Sequence, residues 1–265
     1  MIRIDIDPVI FSFGPFSVRW YGLMYAVGII VGLLVVWPYA KSKGITAAQM
    51  ERVLWWAVPA GLVGARLYFV LQQPLLPYLE QPWRIMAFWE GGMAFYGAVL
   101  AVILTLFLMS RRMGVSTWKF LDVMAIFAAV GQFFGRIGNT INGDVIGYPT
   151  TLPWGFVYAN PNSFAPSHDI AYQPAAVYEA IVDILLFVLL WSLRKKVKPG
   201  ILFFTYIFGY SVSQIIVFFW RDNEVLLLGL KQAQFTAIGV IVVAAAVFVW
   251  YRKRRDVHAE DKPTE

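Results

Sequence analysis

The sequence has no cysteine, which excludes disulfide bridges, cysteine nucleophiles and thiolate metal sites. Its two histidines, His168 and His258, lie far apart in the chain, so a site built from several histidines is not expected. No motif indicates a metal ion or an organic cofactor, and we expect neither. Charged residues make up only 14% of the 265 positions, whereas 59% are hydrophobic. A soluble domain does not need so large an apolar fraction, and the composition therefore predicts a membrane protein.

Apolar windows long enough to cross a bilayer recur along the chain. Crossing the hydrocarbon core takes roughly 17–25 residues in a helix, and about seven such windows are present. Because the bilayer core offers backbone groups no hydrogen-bond partners, and because the windows lack strand-like alternation, they are predicted to be helices. The fold class is an all-α membrane protein of about seven transmembrane helices. The predicted spans are 18–39, 53–72, 91–108, 120–134, 175–193, 201–220 and 235–251.

The distribution of basic residues predicts the orientation of this bundle. Most of the 22 lysines and arginines follow the first, third, fifth and seventh spans. By the positive-inside rule, the N-terminus is expected outside and the C-terminus in the cytoplasm. Topology thus accounts for the net charge of +6, and a nucleic-acid partner is not expected.

Three segments outside the spans complete the predicted organisation. The first residues lack the basic region and cleavage site of a signal peptide, so we expect them to remain as a short external segment. An external loop of about residues 135–173 joins the fourth and fifth spans, and its aromatic and apolar residues favour an ordered cap. Residues 1–251 form one transmembrane domain, and residues 252–265 form a basic cytoplasmic tail that is expected to be disordered.

Several polar residues are predicted to converge near the outer membrane face. Polar and ionisable groups at this depth are costly unless they pair or line a polar cavity, which makes them functional candidates. An arginine among glycines and amides suits a lipid phosphate, because a guanidinium can bind two phosphate oxygens at once. The residues of this predicted cluster are Arg19, Tyr21, Glu90, Arg136, Asn139, Asn142, Asp144 and Glu179.

The residues alone leave other interpretations open. Arg136 could equally snorkel to the interface or form a structural ion pair with Glu90 or Asp144. Tyr21 and Tyr25, one helical turn apart, are more typical of interfacial aromatic residues than of catalysts.

Six segments, taken in order, resemble the bacterial prolipoprotein diacylglyceryl transferases. The resemblance runs from about Asp7 to Tyr251, and its most specific motif is GR-x-x-N-x-x-N-G-[ED]-x-x-G, which residues 135–147 match. The segments are DPVIFSFGPFSVRWYGLMYAVG, GARLYFVL, FWEGGMAFYGAVL, GRIGNTINGDVIG, YQPAAVYEA and FGYSVSQIIVFFWR.

The resemblance implies a reaction in the bacterial plasma (inner) membrane. An sn-1,2-diacylglyceryl group would pass from phosphatidylglycerol to the thiol of a lipobox cysteine in a preprotein, forming a thioether and releasing glycerol phosphate. The implied partners are phosphatidylglycerol, lipobox-containing preproteins and membrane lipids. Because the nucleophilic thiol belongs to the substrate, the absence of cysteine from the enzyme fits this chemistry.

The resemblance also implies roles for individual residues. Arg136 matches the arginine that grips the lipid phosphate, and it would stabilise the charge that grows on the leaving group. The implied catalytic positions are Tyr21, Tyr96, Asn139, Asp144 and Tyr210. The implied phosphatidylglycerol-binding positions are Arg136, Asn142, Gly147 and Gln214.

The sequence departs from the family pattern at three positions that matter for this chemistry. Tyr96 replaces a histidine, Gln214 replaces an arginine and Phe218 replaces a glutamate. A phenol with a pKa near 10 is a poor base at neutral pH, so one candidate base and one phosphate-binding cation are lost. This motivates an alternative: a catalytically altered paralogue that binds phospholipid or a lipidated partner, or that transfers a different lipid group. A transporter or channel is disfavoured, because no trail of polar residues crosses the predicted cytoplasmic half.

Overall fold

The computed structural model describes residues 1–14, 16–87 and 92–260, with the backbone alone at residues 95, 96 and 254–260. The chain is mostly helical, with short strands between the helices. The helices are α1 (Trp20–Ser42), α2 (Ala47–Leu71), α3 (Leu76–Glu80), a 3-10 turn (Pro82–Met86), α4 (Phe95–Arg112), α5 (Thr117–Asn142), α6 (Ala175–Leu193), α7 (Ile201–Val217) and α8 (Gln232–Glu260). The strands are β1 (Ile2–Ile4), β2 (Val9–Phe13), β3 (Phe16–Arg19), β4 (Phe156–Tyr158), β5 (Ala171–Tyr172), β6 (Val225–Leu227) and β7 (Leu230–Lys231).

Among the described residues, five helices are long and apolar enough to cross a membrane: α1, α2, α5, α6 and α8. Helix α7 is equally apolar in character but has 17 residues. The prediction that the chain is a helical membrane protein is confirmed. The number of seven spans and the orientation across the bilayer remain predictions.

Two predicted boundaries were wrong. Helix α5 continues to Asn142, so the first residues of the predicted loop at 135–173 are helical. The helix extends because the polar side chains of its last two turns find partners within the protein. Helix α8 continues to Glu260 beyond the predicted boundary at 251, since no proline interrupts the good helix formers before residue 263. Residues 261–265 of the predicted tail lie outside the described residues.

The chain divides into two compact units, Met1–Val36 with Met124–Glu265, and Trp37–Val123. In the second unit, α2 packs along α4. Arg66 on α2 is 2% exposed and donates to the carbonyl oxygens of Arg84 (2.7 Å), Ile85 (3.0 Å) and Gly92 (3.1 Å). A buried guanidinium that is bonded in this way holds the 3-10 turn and Gly92 in place, so we assign Arg66 a structural role.

In the first unit, the segment between α5 and α6 is an ordered cap. Strand β4 pairs with β1 in parallel and with β5 antiparallel, giving a sheet in the order β1-β4-β5. The N-terminal strand is therefore part of the cap, and Ile2 N–H donates to the carbonyl oxygen of Gly155 at 2.8 Å. An isolated bridge between Gly147 and Arg221 ties the cap to the segment that follows α7.

A buried lysine closes the end of α7. Lys231 is 4% exposed, and its Nζ donates to the carbonyl oxygens of Phe218 (2.7 Å) and Arg221. Its Nζ also lies 4.6 Å from the centre of the Tyr148 ring. Carbonyl oxygens at a helix C-terminus have no partners within the helix, and a cation there interacts favourably with the helix dipole. Lys231 thus positions the chain around Arg221.

Glycines allow α1 and α5 to pack closely within the first unit. A Cβ atom on Gly28 would lie 3.0 Å from the Cβ of Phe134 and 3.3 Å from the carbonyl oxygen of Gly131. A Cβ atom on Gly32 would lie 2.8 Å from the Phe127 ring. Small residues at four-residue spacing are typical of membrane helices whose backbones approach one another.

We expect Gly28→Leu to lower the free energy of unfolding by about 1–3 kcal/mol, because overpacking this contact forces α1 away from α5. The matched control is Gly239→Leu on α8, where an added Cβ atom meets no heavy atom within 4 Å among the described residues. Thermal unfolding of both variants in detergent measures the effect. Equal midpoints for the two variants would contradict the predicted packing.

Candidate functional site

Three helices of the first unit carry polar residues at intervals of three or four positions. At that spacing, side chains of one helix lie on the same face. In membrane helices such polar residues are costly and mark functional sites by default. The residues are Gln132, Arg136 and Asn139 on α5, Glu179 and Asp183 on α6, and Tyr206, Tyr210 and Gln214 on α7.

Arg136 and Arg221 share one carboxylate, that of Glu179. The Arg136 guanidinium forms an ion pair with Glu179 Oε2, and Arg221 Nη1 lies 3.2 Å from Glu179 Oε1. The Glu179 side chain is 2% exposed, and each arginine side chain is 16% exposed. Of the two partners that the sequence interpretation considered, Asp144 is joined to Arg136 through Asn139 and not by a direct ion pair among the described residues, and Glu90 lies outside them.

The signature motif of α5 forms a chain of hydrogen bonds that starts at Arg136. Arg136 Nη1 donates to Asn139 Oδ1 at 3.3 Å, and Asn139 Nδ2 donates to Asp144 Oδ1 at 3.0 Å. Gly143, at φ 74°, ends the helix, and its N–H donates to the Asn139 carbonyl oxygen at 2.8 Å. This left-handed turn, which glycine adopts without strain, brings Asp144 back towards Asn139. Three predicted site residues are therefore brought together.

Asn142 contacts a different set of residues. Its Oδ1 accepts from Arg19 Nη1 at 3.2 Å, and its carbonyl oxygen accepts from Phe164 N–H at 2.9 Å. The Arg19 guanidinium also lies 4.2 Å from the centre of the Phe164 ring. Asn142 is 4% exposed, so it joins the end of α5 to the cap and to the start of α1.

The tyrosines form two pairs. The Tyr21 and Tyr25 hydroxyls lie 3.1 Å apart, and their rings meet edge to face. The Tyr206 and Tyr210 rings stack with centroids 5.8 Å apart, and the Tyr206 hydroxyl donates to Gln132 Oε1. Tyr206 is 7% exposed, which places its phenol inside the bundle at the polar faces of α5 and α7.

Gly147 provides a close approach between backbones. Its N–H donates to the Gln173 carbonyl oxygen at 2.8 Å, and it pairs with Arg221 in the isolated bridge. A Cβ atom at this position would lie 2.8 Å from the Gln173 Cβ and would clash with the Trp220 carbonyl oxygen. Only glycine fits here, and through this contact Gly147 positions Arg221.

Several buried polar atoms of the cluster have no hydrogen-bond partner among the described residues. They are Arg136 Nε, Arg221 Nε, Gln214 Nε2, Asp183 Oδ2 and Glu179 Oε2, the last of which is held by the ion pair with Arg136. Asp183 is 1% exposed. Buried polar groups are usually satisfied, so this concentration of unused donors and acceptors indicates a ligand site.

Burial changes the pKa of two groups at the end of the bundle. Burial lowers the pKa of the Arg221 guanidinium, and the Glu179 carboxylate partly offsets that effect. Burial, reinforced by the Asp144 carboxylate, raises the pKa of the Tyr158 phenol above its ordinary value of 10.0. An arginine stays protonated despite such a shift, so Arg221 remains a cation and Tyr158 a neutral phenol at physiological pH.

Two predicted residues fall outside what the structure describes: Glu90, and the side chain of Tyr96. Phe218, one of the departures from the family pattern, lies against Arg221, whose guanidinium is 4.6 Å from the ring centre. The described part of the chain contains no group of three or more histidine, cysteine, aspartate or glutamate residues arranged to hold a metal ion.

The sequence interpretation missed Arg221 and Asp183 as site residues. Asp183 follows Glu179 by four positions in an otherwise apolar helix, and this pair of carboxylates was the available signal. Arg221 resembled an interfacial arginine at the end of a span, and no local pattern distinguished it from one.

Comparisons with known proteins identify the family of this chain. The family model described as prolipoprotein diacylglyceryl transferase matches residues 8–250. A phosphatidylglycerol–prolipoprotein diacylglyceryl transferase of Rhizobium meliloti (strain 1021) is 35% identical, covering 83% of this chain and 81% of the relative. The proteins of the same name from Sinorhizobium medicae (strain WSM419) and Cupriavidus pinatubonensis (strain JMP 134 / LMG 1197) are 34% and 31% identical. The two alignments cover 93% and 99% of this chain, and 91% and 98% of the respective relatives. The chain therefore belongs to the prolipoprotein diacylglyceryl transferase family.

Proposed function

We propose that this protein transfers an sn-1,2-diacylglyceryl group from phosphatidylglycerol to the thiol of a lipobox cysteine in a preprotein. The thiol gives up its proton to solvent, and the sulfur of the resulting thiolate attacks the glycerol carbon that carries the phosphate. A carbon–sulfur bond forms while the carbon–oxygen bond to phosphate breaks, and glycerol phosphate leaves with the electron pair. The observation that carries the proposal is the buried Arg136 at the centre of a polar cluster built by membrane helices, in a chain of this family.

In this mechanism Arg136 binds the phosphate of the lipid. Its guanidinium is held by Glu179 and Asn139, yet its buried Nε has no partner among the described residues. Charge on the phosphate increases as the carbon–oxygen bond breaks, so a preorganised cation stabilises the transition state more than the bound substrate.

The remaining predicted catalytic residues position Arg136 and hold the lipid and the preprotein near the phosphate. Asn139 and Asp144 hold Arg136 in place through their hydrogen-bond chain. Tyr21 and Tyr210 contribute phenols on α1 and α7, and Tyr96 is expected to donate a hydrogen bond to substrate without abstracting a proton. Holding both reactants together contributes much of the rate enhancement, because the thiol needs only modest further activation.

Gln214, Asn142 and Gly147 complete the proposed lipid-binding positions. Gln214 supplies a buried amide donor without a partner among the described residues. Asn142 and Gly147 act indirectly, since their observed contacts join the cap to α1 and to Arg221.

We infer that the protein lies in the bacterial inner membrane with its N-terminus outside. The long apolar helices support a membrane location, and the basic residues after alternate spans support the orientation. A preprotein emerging on the outer side would then meet the end of the bundle that carries the cap. The catalytically altered paralogue is not favoured, because relatives named as transferases match nearly the whole chain.

The proposed activity is tested with purified protein, phosphatidylglycerol liposomes and a lipobox peptide. We expect mass spectrometry to detect a peptide heavier by one diacylglyceryl group, with release of glycerol phosphate. A peptide with serine in place of the lipobox cysteine is the control, since it lacks the thiol. Absence of the adduct, under conditions in which another member of the family forms it, would contradict the proposal.

A further inference from the structure

Arg221 is held in place from three directions at the end of α7. Its backbone pairs with Gly147, and Lys231 Nζ donates to its carbonyl oxygen. Its guanidinium contacts Glu179 at 3.2 Å and lies 4.6 Å from the centre of the Phe218 ring. An arginine with this many fixed contacts is preorganised, which limits the entropy lost when it binds a ligand.

Glu179 is the only carboxylate in an ion pair with either Arg136 or Arg221 among the described residues. One carboxylate therefore holds two guanidiniums side by side. Asp183, also buried, lies one helical turn from Glu179 on α6 and forms no ion pair within the described part of the chain.

Both arginines keep donors available for one further anion. A guanidinium carries five N–H groups, whereas Arg221 donates one to Glu179, and Arg136 donates one to Asn139 and forms an ion pair with Glu179. The Nε atoms of both are buried without a hydrogen-bond partner among the described residues. Leaving a buried charged donor unsatisfied is costly, and phosphate oxygens are acceptors that match its geometry.

The chemistry of the leaving group calls for two cations. A phosphodiester carries one negative charge, and the glycerol phosphate that leaves gains a second as the carbon–oxygen bond breaks. Glu179 offsets the charge of one guanidinium, so Arg136 alone leaves no net positive charge for the phosphodiester. A second guanidinium on the same carboxylate restores one positive charge and adds donors for the phosphate oxygens on which the new charge develops.

We propose that Arg221 is a second phosphate-binding residue, which together with Arg136 clamps the phosphate of phosphatidylglycerol while Glu179 sets the spacing of the two. This inference rests on the proposed function for the identity of the lipid. Arg221 is accordingly a binding residue of the reaction, and not only a structural partner of Glu179.

Lipid binding by the full-length protein in detergent micelles tests the clamp, with labelled phosphatidylglycerol and labelled diacylglycerol as probes. Diacylglycerol has the same acyl chains but no phosphate. We expect Arg221→Gln to weaken phosphatidylglycerol binding at least tenfold and to leave diacylglycerol binding within twofold of the wild type. Arg3→Gln, which removes an exposed arginine from β1, is the charge-matched control and should change neither.

Phosphatidylglycerol binding within twofold of the wild type in Arg221→Gln would overturn the proposal. An equal loss for both lipids would also overturn it, because it would assign Arg221 a structural role. Arg221→Lys keeps a cation beside Glu179, so it provides a second test if the glutamine variant fails to fold. Since lysine lacks the planar fork, we expect it to weaken phosphatidylglycerol binding several-fold, and unchanged binding would count against the clamp.

The binding measurement does not depend on turnover. If the wild type binds phosphatidylglycerol but forms no adduct, the proposed transfer reaction is contradicted. The role of Arg221 is still tested in that case, by comparing its effects on phosphatidylglycerol binding and on diacylglycerol binding.

Discussion

Arg136→Ala is expected to lower kcat/KM for diacylglyceryl transfer by about 10²–10³-fold, the usual effect of removing one preorganised group that stabilises a developing negative charge. The variant loses both the ion pair with Glu179 and the hydrogen bond to Asn139. The rate of adduct formation with a lipobox peptide, measured at several phosphatidylglycerol concentrations, separates the effect on kcat from that on KM.

Two variants make this result interpretable. Arg136→Lys keeps the charge without the planar fork, so its activity should lie between those of the wild type and the alanine variant. Arg52→Ala removes an exposed arginine from α2 and should retain full activity. Full activity of Arg136→Ala would show that Arg136 does not bind the phosphate.

Glu179→Gln is expected to lower the free energy of unfolding by about 3–5 kcal/mol, because removing one partner of a buried ion pair leaves an uncompensated charge. Here one carboxylate serves two arginines, so the glutamine variant leaves Arg136 and Arg221 facing one another. Glutamine preserves the shape of the side chain, which confines the change to its charge. The unfolding midpoint in detergent measures the loss.

Glu224→Gln is the matched control for this experiment. Glu224 is exposed in the segment between α7 and α8, so its replacement should leave the midpoint unchanged. We also expect phosphatidylglycerol to stabilise Glu179→Gln more than the wild type, since its phosphate would supply the missing negative charge. An unchanged midpoint in Glu179→Gln would contradict the central role given to this carboxylate.

The two charge-removing variants, Arg136→Ala and Glu179→Gln, report different properties of one cluster. Arg136→Ala leaves Glu179 paired with Arg221, so its main effect should be on catalysis. Glu179→Gln removes the bond that holds both guanidiniums, so its main effect should be on stability. Because the three residues share contacts, their effects are not expected to add.

Prediction from the sequence worked best where local signals were strong. Helix α6 begins and ends at the predicted residues, 175 and 193, because Pro174 precedes it and basic residues follow it directly. The end of α5 was predicted too early, since the polar motif 135–142 looked incompatible with a membrane helix. Its partners, Glu179 and Arg19, come from elsewhere in the chain and remove that incompatibility.

The sequence interpretation treated the signature motif 135–147 as one unit, but its members make different contacts. Arg136, Asn139 and Asp144 form one chain of hydrogen bonds. Asn142 and Gly147 face the cap and the end of α7 instead. Their division follows from the direction of each side chain on the helix, and from the turn at Gly143 that ends it.

The sequence by itself determined that this is a helical membrane protein, that it belongs with the diacylglyceryl transferases, and that Arg136 is the main site candidate. Composition and apolar spans settle the first point, and an ordered set of motifs settles the others. Only the tertiary structure decided which charges meet. Arg221 and Glu179 lie 42 positions apart, and Glu179 meets both Arg221 and Arg136 only when α5, α6 and α7 pack together. Ion pairs between helices depend on how the helices face one another, and one helix's residue pattern does not specify the partner on the next.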